Sequence, residues 1–196
     1  MKEPITTRRI HLSRFRQEQV DFLFQLNGGP EEMKYITLGK QLTFEEVKSK
    51  SIPRIMQSYN YGEEFGIFSA YLNHTEHYIG WFQFEPDQEM NDAIEIGWRL
   101  KREFWGHGYA TEAGRQVAHH VFFDLGIPDL TALIHPLNAA SARVAEKVGL
   151  SLTGTVDAFG TALDHYFVSR ANYIGSGSGD GMLAVPDLSG VALKDR

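Results

Sequence analysis

The sequence predicts a mixed α/β domain, a mostly antiparallel sheet with helices on both faces. Three observations carry that reading. The strand-like runs "EFGIFSAYL", "HYIGWFQFEP" and "AIEIGWRL" follow one another across short turn segments, and strands joined so closely pair antiparallel. The second half of the chain then alternates strand and helix patterns, which adds crossover connections to the same sheet. Hydrophobic residues make up 42% of the 196 residues and aromatic residues 12%, enough for one domain with a substantial core.

Thr6 to Ser13 alternate as a first strand, and a helix around Gln17 to Gln25 offers Val20, Phe22, Leu23 and Phe24 to the core. "NGGP" ends it at 27–30. "LTFEEVKSKSIPRIMQSY" reads as a helix capped by Thr43, with Glu46 at the reciprocal capping position; Pro53 within it predicts a break or kink. "NHTEH" is a hairpin connection, and Asn91 and Asp92 are turn residues before the third central strand. "YATEAGRQVAHHVFFDLG" is a helix, with Ala110, Ala113, Val117, Val121 and Phe122 near helical spacing and Gly126 after its end. A strand "LTALIH", a helix "NAASARVAEKVG" closed by Gly149, and strands around 151–155 and 163–169 complete the pattern. The domain is expected to span 1–174. Residues 175–196 open on a Gly/Ser linker composition, and the apolar residues of 182–193 either dock or belong to a disordered tail.

Composition excludes several classes of function. A net charge of −6 argues against a general nucleic-acid binder. The absence of cysteine removes disulfides, thiol nucleophiles and cysteine-rich zinc sites. No apolar run suits a signal peptide or a membrane span, so a cytoplasmic protein is expected. His74 and His77 lie three apart and His119 and His120 are adjacent; neither is a zinc spacing, and no metal is expected.

The stretch "EIGWRLKREFWGHGYATEA", Glu95 to Ala113, runs a strand into two glycines and a helix start. The first turn of a helix carries N–H groups without intrahelical partners and the positive end of the helix dipole. Gly106, Gly108 and Ala110 leave those groups open to phosphate oxygens. Trp105 and Tyr109 are expected to pin the loop from the core side. No Gly-Lys-Ser/Thr follows, and a third glycine in dinucleotide spacing is missing.

That stretch, with "HPLNAASARVAEKVGL" and the opening "TTRRIHLSRF", resembles the GNAT superfamily of N-acetyltransferases, especially its RimJ/RimL-type branch, which acetylates protein N-termini. The resemblance covers most of the chain to about Arg170. It implies a central sheet splayed between the family's fourth and fifth strands, with acetyl-CoA as co-substrate. It further implies that the backbone of Gly106, His107, Gly108, Tyr109, Ala110 and Thr111 faces the pyrophosphate. Trp98, Arg99 and Leu100 would bind the pantetheine arm through backbone, and Asn138 and Ser141 would lie near the pantetheine and thiol. A homodimer is a further expectation from the family.

Acetyl transfer from a thioester to an amine needs the amine deprotonated, the oxyanion stabilised and the thiolate released. Glu95 matches the place of a family glutamate and is the candidate base; the other reading of Glu95 is a solvent-facing residue of an alternating strand. Many relatives protonate the thiolate with a tyrosine, but Ala145 stands at that position. Ser141 is the substitute, as donor or positioner, although a serine in a first helical turn is also an ordinary cap. Glu63 and Glu64 either receive a cationic substrate or form a solvated loop. The expected function is N-acetyl transfer to a primary amine, of a protein N-terminus or a small molecule, by direct attack in a ternary complex. The alternative is a non-catalytic acyl-CoA-binding module.

Overall fold

A computed structural model describes residues 5–37, 39–87 and 93–175. The turn assigned to Asn91 and Asp92 and the tail from residue 176 lie outside the described residues.

Among the described residues eight strands form one sheet: β1 (Ile5–Thr6), β2 (Ile10–Arg14), β3 (Gly66–Leu72), β4 (Tyr78–Asp87), β5 (Ala93–Leu100), β6 (Asp129–Ile134), β7 (Ser151–Ala158) and β8 (Thr161–Ser169). Their spatial order is β1-β2-β3-β4-β5-β6-β8-β7. Every neighbouring pair is antiparallel except β5 and β6. β5 pairs with β4 along all eight of its residues, from Ala93 opposite Asp87 to Leu100 opposite Gly80. Its ladder with β6 holds only Ile94 with Leu130 and Glu95 with Thr131. Beyond Glu95 the two strands part, and the sheet opens into the expected splay.

The helices are α1 (Val20–Asn27), α2 (Pro30–Met33), α3 (Phe44–Glu46), α4 (Ile52–Ser58), α5 (Tyr109–His119), α6 (Ala139–Val148) and α7 (Arg170–Gly175). They divide between the two sheet faces. Ala113, Val117, Ala145, Val148 and Tyr173 join Ile94, Ile96, Phe82 and Phe84 in the larger core. Leu23, Leu26, Val47, Ile52 and Ile55 form a second core with Ile67, Tyr71 and Tyr78. Alternate residues of each strand supply the two cores, as the period of two requires. Among the described residues no helix is long and apolar enough to cross a membrane.

Two sequence expectations are corrected. The first strand is a hairpin, because Thr7 closes a turn: its N–H donates to the Ile10 carbonyl at 2.7 Å and its hydroxyl accepts from the Ile10 N–H at 2.9 Å. Pro53 does not break its helix. The backbone widens to π geometry over Val47–Ser51, and α4 resumes with Pro53 in its first turn. A proline removes an N–H and crowds the carbonyl one turn back, and a widened turn relieves both. Thr43 and Glu46 form the expected reciprocal cap. The short helices α2 and α7 carry too little periodicity to have been read from sequence.

Gly80 is the tightest point of the β4–β5 ladder. Its φ is +147°, and a Cβ there would lie 2.1 Å from the Arg99 carbonyl oxygen and 2.7 Å from the Leu100 Cα. Both neighbours are backbone, so no side-chain rotation relieves the clash. Gly80→Ala is expected to cost about 2–4 kcal/mol of folding stability by denaturant titration. Gly154→Ala, whose Cβ would meet nothing within 4 Å, serves as the control and is expected to cost well under 1 kcal/mol.

Candidate active site

The parity of β5 sends Glu95, Gly97 and Arg99 to one face and Ile94 and Ile96 to the other, with no bulge against β4. The first set faces a cavity of about 680 Å³. α1, α2 and α4 wall it on one side; the β6–α6 junction and the turn between β7 and β8 close it on the other. On β4, Trp81, Gln83 and Glu85 stand opposite Arg99, Gly97 and Glu95. The cavity floor is therefore a two-strand strip with carboxylates at one end and a guanidinium at the other.

Glu85 is only 4% exposed, yet it is a charged residue with a partner. Both of its carboxylate oxygens face the guanidinium of Arg54 on α4, one pair at 3.3 Å (Nη1 to Oε2) and a closer one from Nη2 to Oε1. Among the described residues Glu95 has no such clamp. Burial first, then the charges of Asp87 and Glu85, push its pKa up to about 7, and Arg54 opposes the rise. Desolvation disfavours the charged form and like charges add to it. A carboxylate that titrates near neutrality can take and return a proton under working conditions.

At the other end, the Arg99 guanidinium lies over the Trp81 ring, 5.0 Å from its centroid. Its Nη1 donates to Asn27 Oδ1 at 2.6 Å and approaches Met33 Sδ at 3.4 Å. Its Nε is buried without a hydrogen-bond partner. Burial lowers its pKa to about 10, which leaves it charged at neutral pH.

Asn138 and Ser141 reach the same cavity from the β6–α6 junction. Asn138 is the N-cap of α6, its Oδ1 accepting the Ser141 N–H at 3.2 Å. The cap is thus Asn138, and the Ser141 hydroxyl is not used for it. His135 also lines the cavity. Its Nδ1 accepts the Leu137 N–H at 3.1 Å, so the neutral ring carries its proton on Nε2, a donor. The sequence "HPLN" contained this residue, but nothing in its spacing singled it out. Arg54 and Glu85 were likewise missed, being 31 residues apart in sequence. Ala145 is fully buried in the larger core and brings no donor to the site. Phe159, 90% exposed, stands at the cavity rim.

The glycine loop lies past the end of β5, outside this cavity. Gly106 (φ +77°) and Gly108 (φ +79°) both adopt the left-handed conformation, and Gly108 is the N-cap of α5 with no side-chain cap. Among the described residues the N–H groups of Gly106 through Thr111 donate to no backbone carbonyl, so the first turn is left open for an anion. Arg9 fixes the loop: its Nη1 donates to the His107 carbonyl at 3.0 Å, its Nε pairs with Glu112 at 2.6 Å, and its guanidinium lies over the Tyr109 ring at 4.5 Å. The expectation that Trp105 packs on the core side is corrected. Trp105 is 43% exposed and holds the loop through its indole N–H, which donates to the Leu100 carbonyl at 2.7 Å. Tyr109 does pack against the larger core. That same indole contact occupies one of the backbone groups assigned to pantetheine; Leu100 itself is buried and lies outside the cavity. His107 is exposed and stacks on Tyr109.

The remaining expectations fall elsewhere. Glu64 faces His120 Nε2 at 3.3 Å, and the Glu63 carbonyl accepts from Arg14 at 2.8 Å; neither glutamate lines the cavity. Among the described residues no group of three or more His, Asp or Glu side chains is arranged to hold a metal ion.

The acetyltransferase (GNAT) domain family matches residues 9–151. The chain is 31% identical over 161 residues to the uncharacterized protein YkkB of Bacillus subtilis, covering 79% of this chain and 89% of that one. It is 27% identical over 153 residues to FsC-acetyl coenzyme A-N(2)-transacetylase of Aspergillus fumigatus; the match covers 74% of this chain and 63% of that longer protein. In three dimensions it resembles RimL, a ribosomal L7/L12 α-N-protein acetyltransferase solved with coenzyme A, with a TM-score of 0.68 at 16% identity over 86% of this chain and 98% of RimL.

Glu95 carries a thermodynamic signature. An unfolded chain ionises it near 4.5, the folded protein near 7. Between those values the folded state binds more protons, so this contribution to stability is complete below pH 4.5 and is lost as pH rises through 7. Glu95→Gln is therefore expected to raise stability at pH 8 by at most about 3 kcal/mol and to change it little at pH 4. Paired denaturant titrations at the two pH values check this.

Proposed function

The chain belongs to the GNAT acetyltransferase family, and from that premise we propose that it transfers the acetyl group of acetyl-CoA to a primary amine by direct attack in a ternary complex, with Glu95 as the base. The observation that carries this reading is a single cavity lined by Glu95, Trp98, Arg99, Asn138 and Ser141, with Glu95 titrating near neutrality.

The glycine loop fits the pyrophosphate. Two left-handed glycines, the open N–H groups of an α5 first turn and the guanidinium of Arg9 nearby form an anion cradle in which a Cβ at Gly106 would meet nothing within 4 Å. Acetyl-CoA held there by its pyrophosphate would supply the activated acetyl group as a thioester. The parted strands β5 and β6 leave backbone beyond Glu95 unpaired on the β6 side, as a pantetheine arm bonding to Trp98 and Arg99 requires.

An α-amino group loses its proton near 8 and a lysine near 10, so either is mostly protonated at neutral pH. Glu95 takes that proton, directly or through water, and the free amine forms the new N–C bond as the C–S bond breaks. The Ser141 hydroxyl and His135 Nε2–H are the donors available to the leaving thiolate in place of the family's tyrosine. No cysteine is present to form an acetyl-enzyme, which fits direct attack. The motif likeness to the RimJ/RimL-type branch supports a primary amine, on a protein N-terminus or a small molecule, met in the cytoplasm by a protein that forms a homodimer.

Thiol release from acetyl-CoA across a panel of amines and short peptides tests the activity. Glu95→Gln is expected to lower turnover at least about 100-fold while acetyl-CoA affinity stays within about twofold. In the wild type the rate should fall as pH drops through about 7, because protonated Glu95 cannot accept a proton; the variant should lack that limb. Unchanged turnover in Glu95→Gln would overturn the assignment. Gly108→Val, which puts a branched side chain at a left-handed position of the cradle, is expected to weaken acetyl-CoA binding at least about tenfold by calorimetry.

A further inference from the structure

We propose that the amine acceptor also bears a carboxylate, and that Arg99 grips it at the far end of the cavity from Glu95. The proposal rests on the N-acetyltransferase reading and names the substrate class of that site.

Arg9 and Arg54 are exposed by 40% and 50% and each faces a carboxylate, Glu112 and Glu85. Arg99 is more buried than either, and among the described residues it faces none. Its recorded partners are an amide oxygen, a thioether sulfur and the face of an indole, all uncharged. Its Nε is buried and unpartnered, and Nη2 makes no hydrogen bond to a described residue. Those two groups form one edge of the guanidinium, the edge whose spacing matches two carboxylate oxygens. Buried charges are ordinarily paired, and a buried donor without a partner carries a penalty that a ligand can remove. Arg99 lines the cavity that also contains Glu95, so an anion bound in that cavity is the available partner.

The cavity floor is also polarised along its length. At one end Glu85 and Glu95 stand together beside Arg54. In the middle, Gln83 faces Gly97 and neither is charged. At the other end is Arg99 upon Trp81. An amine at the acidic end and a carboxylate at the basic end complement this strip, whereas a simple polyamine would place a cation beside Arg99. Glu95 and Arg99 are four residues apart on one strand, about 13 Å between Cα atoms, and their long side chains shorten the gap. The phosphates of acetyl-CoA have their own cradle and their own cation, Arg9, beyond Leu100, so Arg99 is not needed for them.

The test uses the full-length protein with coenzyme A present and four probe pairs: glycine, 4-aminobutyrate, L-lysine and glycylglycine, each beside its carboxamide. Binding is read by calorimetry and turnover by thiol release with acetyl-CoA. At least one carboxylate is expected to outperform its carboxamide by about tenfold or more, the range of a charge-assisted hydrogen bond. Arg99→Gln should reduce that ratio to about one, and Arg99→Lys, which keeps the charge without the fork, should retain part of it; acetyl-CoA affinity should stay within about twofold in both. No carboxylate preference in any pair overturns the proposal, as does a preference that survives Arg99→Gln, or a loss confined to acetyl-CoA affinity. Carboxylates that bind through Arg99 but are never acetylated would instead sink the transferase reading and leave this one standing. Acetylation of the amines without carboxylate preference would do the reverse.

Discussion

β5 is held along its whole length by β4 and along only two residues by β6, and most of what the molecule can do follows from that asymmetry. A strand bonded on one side and free on the other leaves backbone donors and acceptors unsatisfied, which a folded protein tolerates only where water or a ligand reaches them. Here the free edge opens beside a cavity, and β5 then leads through the turn Arg102–Phe104 into the glycine loop and α5. The same strand therefore carries the candidate base, borders the splay and delivers the chain to the anion cradle. Gly80 permits the close β4–β5 approach that keeps this strand in place, and α5 anchors it from the other face through Val117 and its neighbours.

The electrostatics of the cavity work against stability and in favour of chemistry. Setting Glu85 directly opposite Glu95 puts two carboxylates together in a partly desolvated strip. Arg54 neutralises one of them, and the other keeps its proton to near pH 7. If both were clamped, the site would be more stable but Glu95 would no longer take up and return a proton at neutral pH. At the opposite end Arg99 is charged and, among the described residues, has only neutral partners. Both ends thus hold a group whose demands the fold alone does not meet, a common mark of a binding site.

Much of this was legible in the sequence. The alternation of "AIEIGWRL" sends Glu95 and Arg99 to one face whatever surrounds them, because strand parity is local. Gly106 and Gly108 before a helix start announce an open first turn, and Gly149 closes α6 as a C-terminal cap glycine does. What escaped depends on distance in sequence or on compensation between neighbours. The Arg54–Glu85 clamp joins a helix to a strand, and no local spacing records it. The π segment at Val47–Ser51 absorbs a proline that sequence reading takes for a break or kink. Trp105 looked like a core residue by type, yet its role is a single indole hydrogen bond made while half exposed. Arg99 was read for its backbone, since nothing in the sequence says that its side chain lacks an acidic partner.

The central claim is that Glu95 ionises near neutrality within the folded protein. Isotope-edited NMR of glutamate side-chain carboxyl carbons, assigned by comparison with Glu95→Gln, would follow that one group through a pH titration. A midpoint near 7 is the predicted result. A midpoint between 4 and 5 would contradict the account, because a carboxylate that ordinary has no reason to take a proton from the acceptor.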